Sequence, residues 1–400
     1  MRLPKICRRR AKTIAPGVSP GADSRRTAST VLRIVAALGL LMSARVGAAS
    51  EDPRAVELAK EVASRGWIVF ASYPSEVSGH RIANKEGDVQ TDLYLMRPDG
   101  SRVRNISSTS EFSEFGGRFS PDGKRLLYRR LPKNKHFNHD TWGAFGELVT
   151  ADADGSHPLV HGKEGEFPWA CWSPDGRRIS CLYRQESKIR IFDLETKRVL
   201  YEAPSQGAFQ QMYWSGDGKR VCGTANVAGR SWNIIAIDLD SGKPTLLSRG
   251  GVGSCTPDWF QGDPSRVIYS HRIAGITPRL GETVNGYGFT MLMQATADGK
   301  RRSLVYGRLL RHVYFGCTSP DDKYVVFVDH PSDGPVVSDL HIIRLADTPM
   351  VAADPPFPEL KELHPNAKDG PVLDLKLPNG RALCGFEPHW TYADIGDAKP

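Results

Sequence analysis

Phe119-Ser120-Pro121-Asp122-Gly123-Lys124 runs into Arg125-Leu126-Leu127-Tyr128, a short apolar strand, and this pairing of turn and strand recurs. Trp172-Ser173-Pro174-Asp175-Gly176-Arg177 and Trp214-Ser215-Gly216-Asp217-Gly218-Lys219 repeat it in register. Thr318-Ser319-Pro320-Asp321-Asp322-Lys323 is a weaker copy, and Asp258-Trp259-Phe260 before Val267-Ile268-Tyr269 is a degenerate one. Each residue type has a job in the turn. Pro presets φ, Asp hydrogen-bonds its own backbone, and Gly accepts the positive φ that ends the reversal. The motif therefore predicts a tight connection between two antiparallel strands.

A second motif follows each first one: an alternating strand that ends in a polar turn. Asp92–Gly100, Leu148–Gly155, Ile189–Lys197, Ile234–Gly242, Met291–Gly299 and Leu340–Asp347 carry it. A unit of about four short strands cannot bury both of its faces alone, but stacked neighbours can. Units of 40–50 residues with four strands each predict a propeller. The chain enters its strands in mid-unit at Trp67-Ile68-Val69-Phe70 and ends on a lone strand around Trp390. Pairing that last strand with the first unit would close the ring and remove the exposed edges. The expected fold is thus all-β, a six-bladed β-propeller over 65–392. A leader over 1–49 and a short helix over 50–64 come before it, and a tail over 393–400 follows.

These turns, with the strand Asp92-Leu93-Tyr94-Leu95-Met96 and its Asp99-Gly100 turn, resemble the repeats of the TolB-like β-propellers. The resemblance covers roughly residues 65–392. The family's namesake has an α/β domain ahead of its propeller, whereas only residues 50–65 separate leader and first strand here. The resemblance therefore implies the repeat architecture and not the namesake's role. Such repeats also serve enzymes, among them oligogalacturonate lyases, so the architecture alone assigns no chemistry.

The 400 residues carry 53 Lys+Arg and 45 Asp+Glu, a net charge of +8. Ten of those basic residues and a single acid, Asp23, fall within residues 1–49. The remainder holds 43 basic and 44 acidic residues, a net of −1. A neutral body offers no electrostatic case for nucleic acid. Arg25, Arg26 and Arg33, the apolar run Ile34–Met42 and the small residues Gly47-Ala48-Ala49 have the order of a secretory signal peptide. Nine apolar residues are too few to span a bilayer. The mature protein is expected in the periplasm or outside the cell, as a monomer without a membrane span.

Long insertions at Tyr73–Thr91, Leu131–Gly146, Ile273–Gly288 and His330–Val337 all join the second and third strands of their units. They would share one face, which makes that face the expected binding surface. The second strands end there with Arg129-Arg130, Arg184, His271-Arg272 and His330. His312 and His389 stand where inner strands begin. Arg130, Arg184, His271, Arg272, His312 and His330 form the candidate ligand set, suited to an anionic group. Solvated strand ends paired with acids would look the same in sequence.

His136, His139 and Asp140 are of metal-ligand type, but a loop setting and the lack of further ligands argue against a metal, and no cofactor is expected. After the leader come Cys171, Cys181, Cys222, Cys255, Cys317 and Cys384. Their even number permits disulfides in an exported protein, but buried free thiols are expected, because Cys317 occupies the repeat position of Cys171 without a matching partner. Two functions remain open. One is a scaffold that binds an envelope protein or glycan through the loop face. The other is a lyase or hydrolase acting on an anionic saccharide at the channel mouth, with a histidine base and a cation to hold the developing enolate.

Overall fold

The Ser-Pro-Asp-Gly segments fold as the hairpins their chemistry demands. Ser120 Oγ donates to Asp122 Oδ1 at 2.6 Å, and that carboxylate accepts the Lys124 N–H at 3.2 Å. Ser173–Asp175, Ser215–Asp217 and Ser319–Asp321 repeat the bond at 2.5, 2.6 and 2.8 Å. Gly123, Gly176 and Gly218 take φ of +69°, +66° and +74°. The structure, a computed structural model, describes residues 52–74, 77, 91–107, 109, 111–132, 146–227, 232–249, 253–272, 290–307, 311–331, 338–346, 351–352 and 371–396. Residues 1–49, read above as a leader, nearly all of the four insertions, and His136, His139 and Asp140 lie outside these residues.

The expected helix is α1, Pro53–Val62, capped by Asp52, whose carboxylate accepts the Arg54 N–H. Its buried face is Leu58 and Val62. Glu61 ties it to the strands by accepting from Tyr324 and Arg344. No helix among the described residues is long and apolar enough to cross a membrane.

Four separate antiparallel sheets have four strands each. One places β1 (Trp67–Ser72), β2 (Asp92–Met96) and β3 (Arg104–Asn105) beside the last strand, β25 (Phe386–Thr391). The next holds β4 (Phe112–Phe119), β5 (Arg125–Pro132), β6 (Glu147–Asp152) and β7 (Leu159–His161). A third holds β8 (Cys171–Trp172), β9 (Arg178–Tyr183), β10 (Lys188–Asp193) and β11 (Val199–Pro204). The fourth holds β12 (Ala208–Trp214), β13 (Arg220–Asn226), β14 (Trp232–Asp238) and β15 (Pro244–Leu246).

The remaining strands correct the expectation of six separate blades. They form a single nine-stranded sheet. One end of it is the meander β16 (Gly253–Trp259), β17 (Arg266–Arg272), β18 (Thr290–Thr296) and β19 (Arg301–Tyr306). The other is β20 (Arg311–Thr318), β21 (Tyr324–Pro331), β22 (Asp339–Arg344) and β24 (Val372–Asp374), with β23 (Val351–Ala352) against β19. A single parallel pair, Thr290 with His312, joins the two meanders. Thr290 Oγ1 also accepts the Val313 N–H at 2.6 Å, so side chain and backbone stitch strands that a hydrophobic pattern reads as belonging to separate units.

Closure follows the expected route. Ile68 pairs with Trp390 and Val69 with His389 across β1 and β25. Trp390 is fully buried, and its indole N–H donates to the Arg65 carbonyl at 2.7 Å. The repeat is also self-complementary between sheets. In three units the arginine that opens the second strand lies over the tryptophan of the following unit: Arg125 over Trp172, Arg178 over Trp214 and Arg220 over Trp259, at 4.7, 5.2 and 5.4 Å. Each such contact covers an aromatic face with a cation that keeps its donors at the surface. The six cysteines from Cys171 to Cys384 are buried thiols. Cys171 stands opposite Ser180, which puts Cys181 one residue out of register with it.

Candidate functional site

The inner strands carry a signal that the turn motif hid. At one repeat position the backbone turns left-handed: Gly116, Trp169, Gln211, Thr256, Phe315 and Glu387 have φ between +49° and +66°. Five of these residues are not glycine, and each pays a steric cost in that region. The pairing register shifts at this point in β4, β12, β16 and β20, as a bulge requires. Two residues further on stand Arg118, Cys171, Tyr213, Asp258, Cys317 and His389.

Arg118, Tyr213 and Asp258 line a small axial cavity of about 20 Å³, together with Gly116, Phe315 and Glu387. That volume holds roughly one water molecule. Arg118 Nη2 donates to both oxygens of Asp258, at 2.8 and 3.0 Å, and its guanidinium lies 4.0 Å from the centre of the Tyr213 ring. Burial opposes the charge on Arg118, but the Asp258 carboxylate more than restores it. His389 Nδ1 accepts the Phe119 N–H at 3.3 Å. Burial, with Arg118 nearby, drives the His389 pKa well below the ordinary range and keeps the ring neutral. The axis is therefore filled by an ion pair, and its histidine is spent on the backbone.

The strand ends on the loop face behave differently. Arg272 closes β17, Thr290 opens β18 opposite it, His312 stands beside Thr290, and His330 pairs with His312. The rings of His312 and His330 are 5.2 Å apart, and Tyr314 lies 6.0 and 5.8 Å from them. His312 is 5% exposed, and its Nδ1 has no hydrogen-bond partner among the described residues. Burial, with His330 and Arg272 adding like charge, pulls its pKa down to about 4. At neutral pH it is an uncharged imidazole beside a guanidinium, able to accept a proton or a hydrogen bond.

Three of the six candidate residues thus converge: Arg272, His312 and His330. The other three stand apart. Arg130 donates to Glu147 at 2.8 Å and lies over Phe112. Arg184 is exposed and lies over Phe209 at 5.6 Å. His271 precedes Arg272 and so points to the opposite face of its sheet, where Nδ1 meets Ser254 Oγ at 2.8 Å. Burial, then Arg302, pulls the His271 pKa down to about 4.

Next to this rim lies a charge network that the sequence reading missed. His341 Nε2 meets Asp329 and Nδ1 meets Asp374, each at 2.8 Å. Arg311 donates to Asp329 and, at 3.1 Å, to Asp339. Burial disfavours a charged His341, but the two carboxylates overcome it and raise its pKa to about 9. Asp329 moves the other way, to about 2, because His341 and Arg311 outweigh its burial. Asp329, Asp339 and His341 bring three ligand-type atoms within 4.8 Å. The Arg311 guanidinium and the imidazolium already supply the positive charge there, so the donor set reads as an ion-pair network. In sequence, Asp329-His330 and Asp339-Leu340-His341 gave the only hint, an acid one or two residues before a histidine on each of two successive strands.

No protein-family model and no curated protein matches this chain. Solved structures do. TolB from Acinetobacter baumannii aligns with a TM-score of 0.53 at 15% identity, over 82% of this chain and 67% of its own. A putative TolB from Agrobacterium tumefaciens gives 0.43 at 18% identity, over 72% and 88%. An oligogalacturonate lyase in complex with manganese gives 0.40 at 12% identity, over 72% and 74%. The first of these shows a shared propeller fold, and at such identities the likeness is one of fold alone.

Proposed function

We propose that this protein is an exported propeller that binds an envelope protein or a glycan through the face bearing the long loops. In this reading the nine-stranded sheet works as two blades, which makes six units around the axis. The observation that carries the reading is the meeting of Arg272, His312, Tyr314 and His330, two of which stand in sequence where such insertions begin. Flat aromatic rings, one uncharged imidazole and a guanidinium suit a surface that takes a polar partner. On the opposite face the Ser-Pro-Asp-Gly type turns are satisfied by their own Ser and Asp side chains. Transport through the axis is disfavoured by the Arg118–Asp258 pair.

A photo-crosslinker carried at position 184, on the loop face, and at position 219, on the turn face, tests this. In envelope extract, saturable adducts should form from position 184 and not from position 219. Equal labelling from both positions, or none from either, rejects the reading.

A second reading, a lyase or hydrolase for an anionic saccharide, draws on His312 as an uncharged base beside Arg272. A polyuronate should then yield unsaturated product by absorbance, and His312→Gln should abolish it. Wild-type protein that gives no product removes this reading and leaves the first intact.

A further inference from the structure

The aromatic and cationic side chains of the loop face do not end at Arg272. Its guanidinium lies 4.9 Å from the centre of the Trp232 ring, at the start of β14. Trp232 meets Phe209 edge to face, with ring centres 5.2 Å apart and planes at 62°. Phe209 in turn lies 5.6 Å from the guanidinium of Arg184, in the turn after β9. In the other direction, Arg272 is an electrostatic neighbour of Tyr314, whose ring lies 5.8 Å from that of His330. Arg184 stands apart from the histidine pair, yet a continuous series of neighbours joins it to that pair across three sheets.

None of these six residues is buried: Arg184 is exposed and the other five are half-buried. The strip also has one sign. His312, which packs against Tyr314 and His330, feels the charges of His330 and Arg272, and among the described residues no carboxylate offsets them there.

The way the rings are used narrows the partner. A base or a sugar that stacks needs an open aromatic plane. Here Phe209 and Trp232 each have a guanidinium over the ring, and the two rings meet each other edge to face. A guanidinium laid on a ring keeps its N–H donors in its own plane, where they fit a carboxylate. Arg, Trp and Tyr together are also the residue types that dominate binding between proteins.

We propose that the strip from Arg184 to His330 is a docking track for an acidic segment of a partner protein. Carboxylates of that segment meet the guanidiniums of Arg184 and Arg272, and its aromatic side chains pack against Phe209 and Trp232. The inference rests on the loop-face reading above and names the chemistry of the partner.

Fluorescence anisotropy of a labelled glutamate–tyrosine copolymer, titrated with the whole protein, tests it. Binding should saturate and weaken as salt is raised. Polyglutamate, which lacks rings, should bind more weakly, and a lysine–tyrosine copolymer should not bind. Trp232→Ala and Arg184→Gln should each lower affinity about tenfold or more, as central interface residues do. Lys219→Gln, on the turn face, should change nothing. Arg184 is exposed, so its variant folds even where Trp232→Ala does not. Absence of saturation with the glutamate–tyrosine copolymer, equal binding of the lysine copolymer, unchanged affinity in Arg184→Gln, or an equal loss in Lys219→Gln overturns the proposal. Tighter binding of polygalacturonate than of the glutamate–tyrosine copolymer assigns the strip to a glycan and overturns it too. Absence of copolymer binding while position 184 still forms adducts in envelope extract overturns this inference alone and leaves the loop-face reading standing.

Discussion

Arg118 and Asp258 come from strands 140 residues apart, and one guanidinium nitrogen of Arg118 donates to both carboxylate oxygens of Asp258. They meet at the axial cavity, to which β4 and β16 contribute from different sheets. The pair acts as a bolt. It ties these two sheets together from the inside.

The bolt predicts a non-additive mutant cycle. Arg118→Met or Asp258→Leu alone leaves one buried charge uncompensated and should cost about 3–5 kcal/mol. The double variant should recover most of that loss, because two apolar chains can fill the space without a charge. Urea unfolding of the four proteins measures the coupling. Additive losses would show that the two side chains act independently.

Stability should peak close to pH 6.5 and fall on both sides, for different reasons. His341 has a pKa raised to about 9. Its contribution is complete below about 6.5, its value when unfolded, and disappears as pH rises through 9. Buried and paired on both nitrogens, it should contribute on the order of 1–3 kcal/mol. His271 and His312 have pKa values pulled down to about 4, and that of His389 is well below the ordinary range. Their contributions are complete above about 6.5 and are lost as pH falls toward 4. Denaturant midpoints from pH 4 to 9.5 should lose the alkaline limb in His341→Gln and soften the acid limb in His312→Asn. An unchanged profile in both variants would rule out these assignments.

Two glycines in the same turn motif should respond unequally to alanine. Gly176 has φ +66°, and a Cβ there would meet nothing nearer than Arg125 Nη2 at 3.4 Å. Gly176→Ala should cost only the left-handed backbone, about 1–2 kcal/mol. Gly123 has φ +69°, but a Cβ would lie 2.4 Å from both Ala393 Cβ and Thr391 Oγ1. Gly123→Ala should cost a further 1–3 kcal/mol or so by overpacking against the closing strand. Thermal unfolding of the two variants gives the difference, and equal losses would contradict it.

Trp390 is the keystone of closure. Trp390→Ala should cost about 3–5 kcal/mol by emptying a fully buried site and freeing the Arg65 carbonyl. Ending the chain before Phe386 should go further. It exposes the unpaired edge of β1, and the product should aggregate on refolding, as light scattering would report.

The fold was largely legible because its determinants are local. A Ser-Pro-Asp-Gly turn closes a hairpin wherever it occurs, and Trp390 with Ile68 announces a missing fourth strand. The count of separate sheets was not legible. It was altered by one parallel pair, Thr290 with His312, beside which the Thr290 hydroxyl bonds to the Val313 backbone. Among the candidate residues, Arg272, His312 and His330 meet because their strands end beside one another. Arg130, Arg184 and His271 have the same chemistry and positions as strand ends, but pleat direction and sheet membership send them elsewhere.

Composition and motif spacing by themselves determined a closed array of short strands on a neutral body behind a basic N-terminal stretch, since turn chemistry and the period of apolar residues act over a few residues. Only the tertiary structure decided which charges are bonded. Arg118 found Asp258, and His341 found Asp329 and Asp374. Those outcomes depend on which strands face each other across the axis or between sheets. Distances of that kind are set by the packing of the whole ring, and no window of sequence contains them.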